Sequence, residues 1–288
     1  MESSSFLGIE LFMKNVEDHY AVGDIETRIL DALHTAGLNT DEQLSPLDLA
    51  SLDHFHTGGF PSSLRMQEMA KICADDRVLD LGAGLAGPAR MLAALPGCYV
   101  DCIDLSPDYC AGAELLNRLT GLDDKVSVHL GSALDLPFPD NSFDVVWMQN
   151  VGMNIENKNR FYSEINRVLK SGGRFVFQEM AAGKSSISKF PLPWATERGD
   201  NFLISADEMH AILAEAGFDV DTFEDASLSQ LVTTPANNAT AGNSPPVTPQ
   251  IQLSMSTYVD NLAEKAENAQ RSLKDGEIQF VRAVFRAK

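Results

Sequence analysis

A glycine-rich turn, placed between an apolar run and the start of a helix, constrains this chain more than any other feature. The stretch is VLDLGAGLAGPAR, residues 78–90. Its glycines Gly82, Gly84 and Gly87 match the G-x-G-x-x-G pattern of dinucleotide-binding turns. A buried strand, such a turn and a helix together present a ligand at the carboxyl edge of an open α/β sheet. The sequence therefore predicts a ligand site at that edge.

The acid at the end of this strand bears on which ligand binds there. Asp80 precedes the turn, where it would repel the pyrophosphate of a dinucleotide. A ligand with a cationic end and no phosphate would be favoured, and S-adenosylmethionine (SAM), with its ammonium and sulfonium groups, is one. Gly82 and Gly84 would let the backbone approach the ligand, and amides at the helix start can meet a carboxylate. The literal glycine pattern still leaves an NAD(P)-dependent oxidoreductase open as an alternative.

Three further segments follow the same pattern of strands and turns. The strand YVDCID ends in Asp104, about 20 residues past the turn, where an acid binds ribose hydroxyls. The segments LPFPDNSFDVVW (136–147) and NRVLKSGGRFVF (166–177) each lead through a turn into an apolar strand. Together these motifs resemble the class I SAM-dependent methyltransferase family, over about residues 54–225. Within it they resemble the small-molecule enzymes that methylate glycine, sarcosine and dimethylglycine, phosphoethanolamine, sterols and tocopherol.

Strand and helix patterns alternate along the chain, which predicts an α/β fold with a doubly wound, mostly parallel sheet and helices on both faces. Strands are expected near 77–81, 98–103, 126–130, 143–147, 173–179, 217–224 and 278–286. The resemblance implies a Rossmann-like sheet of seven strands, the last two forming an antiparallel pair. We expect a helical extension or lid over 1–60 and the methyltransferase domain over 61–288, with substrate-covering insertions at 181–205 and 226–275. Helices are predicted at about 6–36, 62–73 and 255–274, and a mobile loop at about 233–248.

The resemblance implies a set of residues that bind SAM, with S-adenosylhomocysteine as the product. Asp104 would bind the ribose, and Ser132-Ala133 stands where the family commonly has Asp-Ala beside the adenine. Ala86 replaces a glycine that the family often has, which tightens the loop. The predicted cofactor-binding residues are Asp80, Gly82, Gly84, Asp104, Leu105, Ser132, Ala133 and Gln149.

The candidate residues for the methyl acceptor lie in three other segments. A His-x-Gly motif borders the active site in the resembling families, and here His54 and His56 precede Thr57-Gly58. Either histidine is a candidate base or polar anchor. Glu179 is expected to end the fifth strand and is the third catalytic candidate, and Trp147 is expected in the core. The predicted substrate-binding residues are His56, Asn150, Met153, Asn154 and Trp194.

Composition narrows the classes of partner. The formal net charge of −19 argues against nucleic acid and against an anionic membrane surface. No apolar run approaches the length of a membrane span and no signal-peptide pattern is present, so a cytoplasmic monomer or homodimer is expected. The four cysteines lack paired spacing and are expected to be buried and reduced. No cluster with ligand spacing indicates a metal.

These observations favour methyl transfer from SAM to a small molecule, with an amine nitrogen as the leading acceptor. A neutral amine brings its own lone pair, whereas a hydroxyl needs a base. A carbon acceptor needs an enolate or phenolate, or a base that removes a later proton. C- or O-methylation of a lipid, quinone or secondary metabolite remains an alternative, as does a SAM-binding protein without catalysis.

Overall fold

The computed structural model describes residues 24–54, 56–229 and 261–288. Its strands agree with the predicted positions within a few residues, except that the fifth is longer at both ends. They are β1 (Arg77–Leu81), β2 (Tyr99–Asp104), β3 (Val126–Leu130), β4 (Phe143–Gln149), β5 (Leu169–Ala182), β6 (Phe218–Asp225) and β7 (Ile278–Ala287).

The strands form one sheet in the order β3-β2-β1-β4-β5-β7-β6. Pairs among β1 to β5 are parallel, and β7 runs antiparallel to both β5 and β6. The predicted α/β fold with a seven-stranded, mostly parallel sheet is therefore confirmed. The order reverses at β1, which has β2 on one side and β4 on the other, and such a switch point is where open α/β sheets bind ligands.

Helices cover both faces of the sheet because successive side chains of a strand point to opposite faces. Leu79 and Val146 belong to one buried cluster, while Val78 and Val145 belong to another. The helices are α1 (Ile25–Thr35), α2 (Pro46–Asp53), α3 (Gly59–Ala70), α4 (Gly87–Ala94), α5 (Pro107–Thr120), α6 (Lys158–Val168), α7 (Ala206–Glu215) and α8 (Leu262–Lys274), with short 3-10 turns at Gly152–Asn154 and Arg198–Asp200.

Some sequence-based boundaries are corrected. The helix predicted at 62–73 spans Gly59–Ala70, because Gly58 and Lys71 at its two ends adopt left-handed backbone conformations. The fifth strand does not end at 179 but runs to Ala182, because β7 pairs with it from Arg174 to Ala182. The predicted helices at 6–36 and 255–274 are seen as α1 and α8, and their remaining parts, like the loop at 233–248, lie outside the described residues.

The cysteines are all free thiols. Cys98, Cys102 and Cys110 are buried, as expected, and the first two lie in the same cluster on one face of β2. The expectation is wrong for Cys73, which is exposed in the turn before β1. Within the described ranges, no helix is long and apolar enough to span a membrane.

Candidate active site at the carboxyl edge of the sheet

A cavity of about 330 Å³ lies at the carboxyl ends of β1, β2 and β4. All the predicted cofactor-binding residues line it, and so do all the predicted substrate-binding residues. Each insertion expected to cover the substrate also contributes, since Pro193, Trp194, Leu262, Ala266 and Ala269 form part of the wall. The cavity thus joins the glycine turn to the chain segments that the minimal sheet does not contain.

The glycine turn after β1 needs its glycines for two different reasons. Gly82 has a φ of +67°, and a Cβ there would lie 2.4 Å from Val151 Cγ2. Gly84 has a φ of +54°, and a Cβ there would meet no atom within 4 Å, since this residue faces the cavity. Ala86 takes a left-handed φ of +58° at the start of α4 and is fully buried. A non-glycine residue in this conformation costs about 1–2 kcal/mol.

Asp104 is held in place from two sides. Its Oδ2 accepts a hydrogen bond from the Gly84 N–H at 2.8 Å, and its Oδ1 accepts one from the Ser106 N–H at 2.9 Å. Burial raises the pKa of this carboxyl, and the N–H donors of Ser106, Gly84 and Leu105 oppose that rise. The carboxylate is therefore fixed at the cavity wall, with lone pairs left to accept hydrogen bonds from ligand hydroxyls.

The carboxylate of Asp80 is a second buried acid in the wall of this cavity. Its Oδ2 has no hydrogen-bond partner among the described residues, and the side chain lines the cavity. Burial raises the pKa of Asp80 to about 7, and the nearby charge of Asp104 adds to the rise. An unpartnered buried carboxylate oxygen costs free energy until a donor reaches it.

The residues present fit SAM. The cavity offers the anchored Asp104, the unpartnered Asp80 and the open space at Gly84, and Leu105, Ser132, Ala133 and Leu134 also line it. The only charged groups in its wall, among the residues described, are carboxylates. A cation with hydroxyl groups would satisfy these oxygens, whereas a pyrophosphate would meet like charge.

His56 lies in the wall of the same cavity, and a hydrogen-bond chain fixes its protonation state. Trp147 Nε1 is a donor only, and it binds Gln149 Oε1 at 2.9 Å. The amide nitrogen of Gln149 is thereby turned toward His56 Nδ1, at 3.1 Å. Gln178 Nε2 also lies 3.1 Å from that atom, whereas the competing Thr57 carbonyl is farther away, at 3.4 Å. Nδ1 of His56 therefore accepts, and the proton is on Nε2.

The second nitrogen of His56 is engaged as well. Nε2 lies 3.1 Å from Ser63 Oγ, whose hydroxyl in turn donates to Gln149 Oε1 at 3.2 Å. Burial lowers the pKa of His56 to about 4. A proton arriving at Nδ1 would face the Gln149 amide donor, so this geometry holds the imidazole neutral.

The other two catalytic candidates lie outside the cavity wall. His54 is buried behind His56, with Nδ1 3.2 Å from Ser63 Oγ, and burial lowers its pKa to about 2. Glu179 is not at a strand end, because β5 continues past it, and it is 2% exposed. Its Oε1 and Oε2 accept hydrogen bonds from the N–H groups of Met180 and Met153. Glu179 therefore holds the turn at Gly152–Asn154 and is not among the residues that line the cavity.

The predicted substrate residues line the same cavity, and we call the part formed by Met153, Met180 and Trp194, which pack in one cluster, its acceptor end. Asn150 has a φ of +59°, and its Oδ1 accepts from the Thr57 N–H at 3.1 Å, which ties the tip of β4 to the histidine loop. Trp194 is buried, with its Nε1 donating to Asn201 Oδ1 at 2.8 Å. Met153 and Asn154 lie on the 3-10 turn after β4. Met180, Leu262 and Ala266 add apolar surface to this end.

Sequence reasoning missed one charged pair beside the cofactor end. Asp53, the last residue of α2, lines the cavity, and its Oδ2 accepts from Arg90 Nη2 at 2.8 Å. Arg90 is fully buried and also donates to Asn117 Oδ1. The sequence contains only a weak indication of this pair. Arg90 comes three positions after Gly87, the first residue of α4, and lies on a helix face that is otherwise apolar.

A comparison with protein families is consistent with the fold and with the position of the cavity. A protein-family model described as "Methyltransferase domain" matches residues 79–177. This range includes the glycine turn, Asp104 and the tip of β4. Residues 79–177 of the chain therefore match a methyltransferase domain.

Proteins with similar sequences include several methyltransferases. The chain is 39% identical over 122 residues to the glycine/sarcosine/dimethylglycine N-methyltransferase of Actinopolyspora halophila, over 42% of this chain and 22% of that protein. It is 42% identical over 106 residues to the sarcosine/dimethylglycine N-methyltransferase of Aphanothece halophytica, over 37% of this chain and 38% of that protein. The chain thus spans well under two thirds of the length of these relatives.

Solved structures share the fold of the methyltransferase domain. Phosphoethanolamine N-methyltransferase 2 of Haemonchus contortus, solved with SAM, aligns with a TM-score of 0.64 and 20% identity, over 89% of this chain and 56% of that one. The geranyl diphosphate C-methyltransferase of Streptomyces coelicolor, solved with Mg²⁺, geranyl diphosphate and S-adenosylhomocysteine, gives a TM-score of 0.62 and 18% identity, over 79% of each chain. In the part of this chain that is described, no group of three or more His, Cys, Asp or Glu side chains is arranged to hold a metal ion.

Proposed function

We propose that this protein is an SAM-dependent methyltransferase that acts on a small molecule. The observation that carries the proposal is Asp104, fixed by two backbone N–H groups at the wall of an anionic cavity within the matched methyltransferase domain. The first relatives, which are N-methyltransferases, support the same chemistry.

Calorimetry with SAM tests the cofactor assignment. Asp104→Asn should weaken SAM binding by about tenfold or more, since a hydrogen bond to a charged group contributes about 1.5–3 kcal/mol. Asp101→Asn is the matched control: Asp101 lies in the same strand but binds Arg77 and His129 away from the cavity, so its loss should leave affinity unchanged. NADH binding in place of SAM would instead favour an oxidoreductase. SAM binding without turnover to S-adenosylhomocysteine, with any acceptor tried, would favour a non-catalytic role.

The residues at the acceptor end of the cavity favour a methyl acceptor that is largely apolar. Met153, Met180, Trp194 and Leu262 form much of this end, and no lysine or arginine among the described residues lines the cavity. A free amino-acid carboxylate would thus find no counter-ion in the wall that is described. Glycine-like acceptors are less well matched than a larger amine.

The state of His56 supports a nucleophile that needs no protein base. Both nitrogens of His56 are engaged by neighbouring side chains, and its pKa is lowered to about 4. The imidazole therefore stays neutral, and neither nitrogen is available to take a proton from the acceptor. A neutral amine attacks with its own lone pair, whereas a hydroxyl requires proton removal. We therefore propose an amine nitrogen as the acceptor atom. C- or O-methylation of a lipid, quinone or secondary metabolite is the second candidate, favoured by the apolar wall.

Turnover of a panel of apolar amines and matched phenols tests the acceptor. With an amine, the rate should rise with pH along the acceptor's own titration, and His56→Gln should leave the position of that rise unchanged. A base role for His56 would instead appear as a loss of about 100-fold in turnover with unchanged SAM affinity. Preferred turnover of phenols, with a pH profile that shifts in the variant, would reject the amine assignment.

A further inference from the structure

Two carboxylate oxygens near the start of α4 lack partners, and only one belongs to the glycine-turn motif. Asp80 Oδ2 and Asp53 Oδ1 are both buried without a hydrogen-bond partner among the described residues, and both side chains line the same cavity. His54 Nε2 lies 3.9 Å from Asp53 Oδ1, beyond hydrogen-bond distance, and does not complete it. Each oxygen is therefore a desolvated anionic acceptor that a ligand donor can satisfy.

The position of Asp53 is fixed by its surroundings. Its Oδ2 is paired with the fully buried Arg90, and its backbone carbonyl and Oδ1 lie over Gly87. A Cβ at Gly87 would be 2.7 Å from Asp53 Oδ1. The unpaired oxygen is therefore held at the first residue of α4, beside the glycine turn, and cannot turn away without breaking the ion pair.

The charge balance at this end favours a cation. Asp53 and Asp80 face a single buried cation, Arg90, whose charge lowers the pKa of both acids against the larger effect of burial. With both acids ionised, the three side chains together carry one negative charge. A ligand that brings one positive charge with several N–H donors would complete them.

We propose that Asp53 is a second cofactor-recognition residue, whose Oδ1, together with Asp80 Oδ2, accepts hydrogen bonds from the α-ammonium group of SAM. This inference rests on the proposed function. The sulfonium has no N–H to donate, so it does not satisfy these oxygens. A reacting amine does not suit them either, because a carboxylate partner would keep it protonated and remove its lone pair. Arg90 is then a positioning residue that orients Asp53.

The test compares S-adenosylhomocysteine with the same molecule carrying hydrogen in place of the α-amino group. Calorimetry on the wild-type chain should show that the analogue binds at least about tenfold more weakly. In Asp53→Asn this ratio should shrink to about threefold or less. The control Asp104→Asn should weaken both ligands equally and keep the wild-type ratio, because it removes a contact to the ribose.

Folding of the variants is followed by thermal melting, since Asp53→Asn leaves Arg90 without its counter-ion. If that variant does not fold, the double variant Asp53→Asn/Arg90→Met removes both buried charges and should give the same reduced ratio. Equal binding of the two ligands by the wild type, or an unchanged ratio in a folded Asp53 variant, would overturn the inference and leave the proposed function intact. Failure of the wild type to bind either SAM or S-adenosylhomocysteine would overturn the proposed function itself.

Discussion

Gly87 is one point where the segment before the sheet packs closely against the matched methyltransferase domain, and Gly87→Ala should disturb that contact. A Cβ at this position would lie 2.4 Å from the carbonyl oxygen of Asp53 and 2.7 Å from its carbonyl carbon. These are backbone atoms, so no side-chain rotation relieves the overlap. Either α4 or the end of α2 must shift.

The expected loss of unfolding free energy is set by whichever of the two helix shifts costs less. A shift of α4 within the packed core costs about 1–3 kcal/mol, as overpacking does. A shift of α2 breaks the 2.8 Å contact between Arg90 and Asp53, and loss of one partner of a buried pair costs about 3–5 kcal/mol. Alanine offsets at most about 1 kcal/mol of this through its higher helix propensity. We expect a net loss of about 2 kcal/mol.

Urea unfolding and thermal melting measure this change. A loss of about 2 kcal/mol corresponds to a melting temperature lower by about 4–8 °C for a domain of this size. Gly199→Ala is the matched control, because a Cβ there would meet only Glu197 Oε1, at 3.9 Å. If Gly87→Ala melts with the wild type and the control, the close approach of Asp53 to α4 is wrong.

Three further outcomes are expected. SAM affinity should rise as pH increases from about 5 to 8, by up to about tenfold per pH unit for each acid, because burial raises the pKa values of Asp53 and Asp80 to about 6 and about 7 and only the ionised forms attract a cation. Calorimetry should show a flatter profile in Asp80→Asn, and a flat wild-type profile would contradict the assignment. Glu179→Gln should lower stability by about 1–3 kcal/mol, because an amide NH2 would face the N–H of Met153 or Met180 and leave that buried donor without an acceptor. Turnover per folded molecule should stay near wild type, with the exposed Glu215→Gln as the control, and a loss of about 100-fold in turnover would restore Glu179 as a base. Treatment with a chelator should leave SAM binding and turnover unchanged, and a stoichiometric metal required for turnover would contradict this expectation.

The sheet and the cofactor end were predictable because their determinants are local in sequence. Strand, glycine turn and helix follow one another over residues 78–90, and Asp104 ends the next strand. The turn fixes the direction of the chain, and the parallel strands bring their carboxyl ends to one edge. The seven strand positions followed from these short patterns, and the resemblance to the methyltransferase family implied the remaining residues of the cofactor end.

The features that were missed depend on contacts between distant residues. Asp53 and Arg90 are 37 positions apart, and nothing in either segment indicates that they pair. Glu179 was placed at a strand end because β5 had no evident continuation, and pairing with β7, about 100 residues later, carries the strand onward. The protonation of His56 depends on Trp147 acting through Gln149, which only the assembled geometry reveals.

The cavity is uneven in charge, and this bears on the direction of the proposed reaction. Asp80 and Asp104 lie at the cofactor end, whereas Trp194 and Met153 line the acceptor end. Methyl transfer to a neutral amine moves one positive charge from the sulfonium to the acceptor nitrogen. Acids at the cofactor end favour binding of the cationic SAM, and an apolar acceptor end favours the neutral, reactive amine over its protonated form. The new cation is then left beside an aromatic ring, which can stabilise it by about 0.5–2 kcal/mol. The same arrangement therefore selects both reactants in the charge states that the transfer requires.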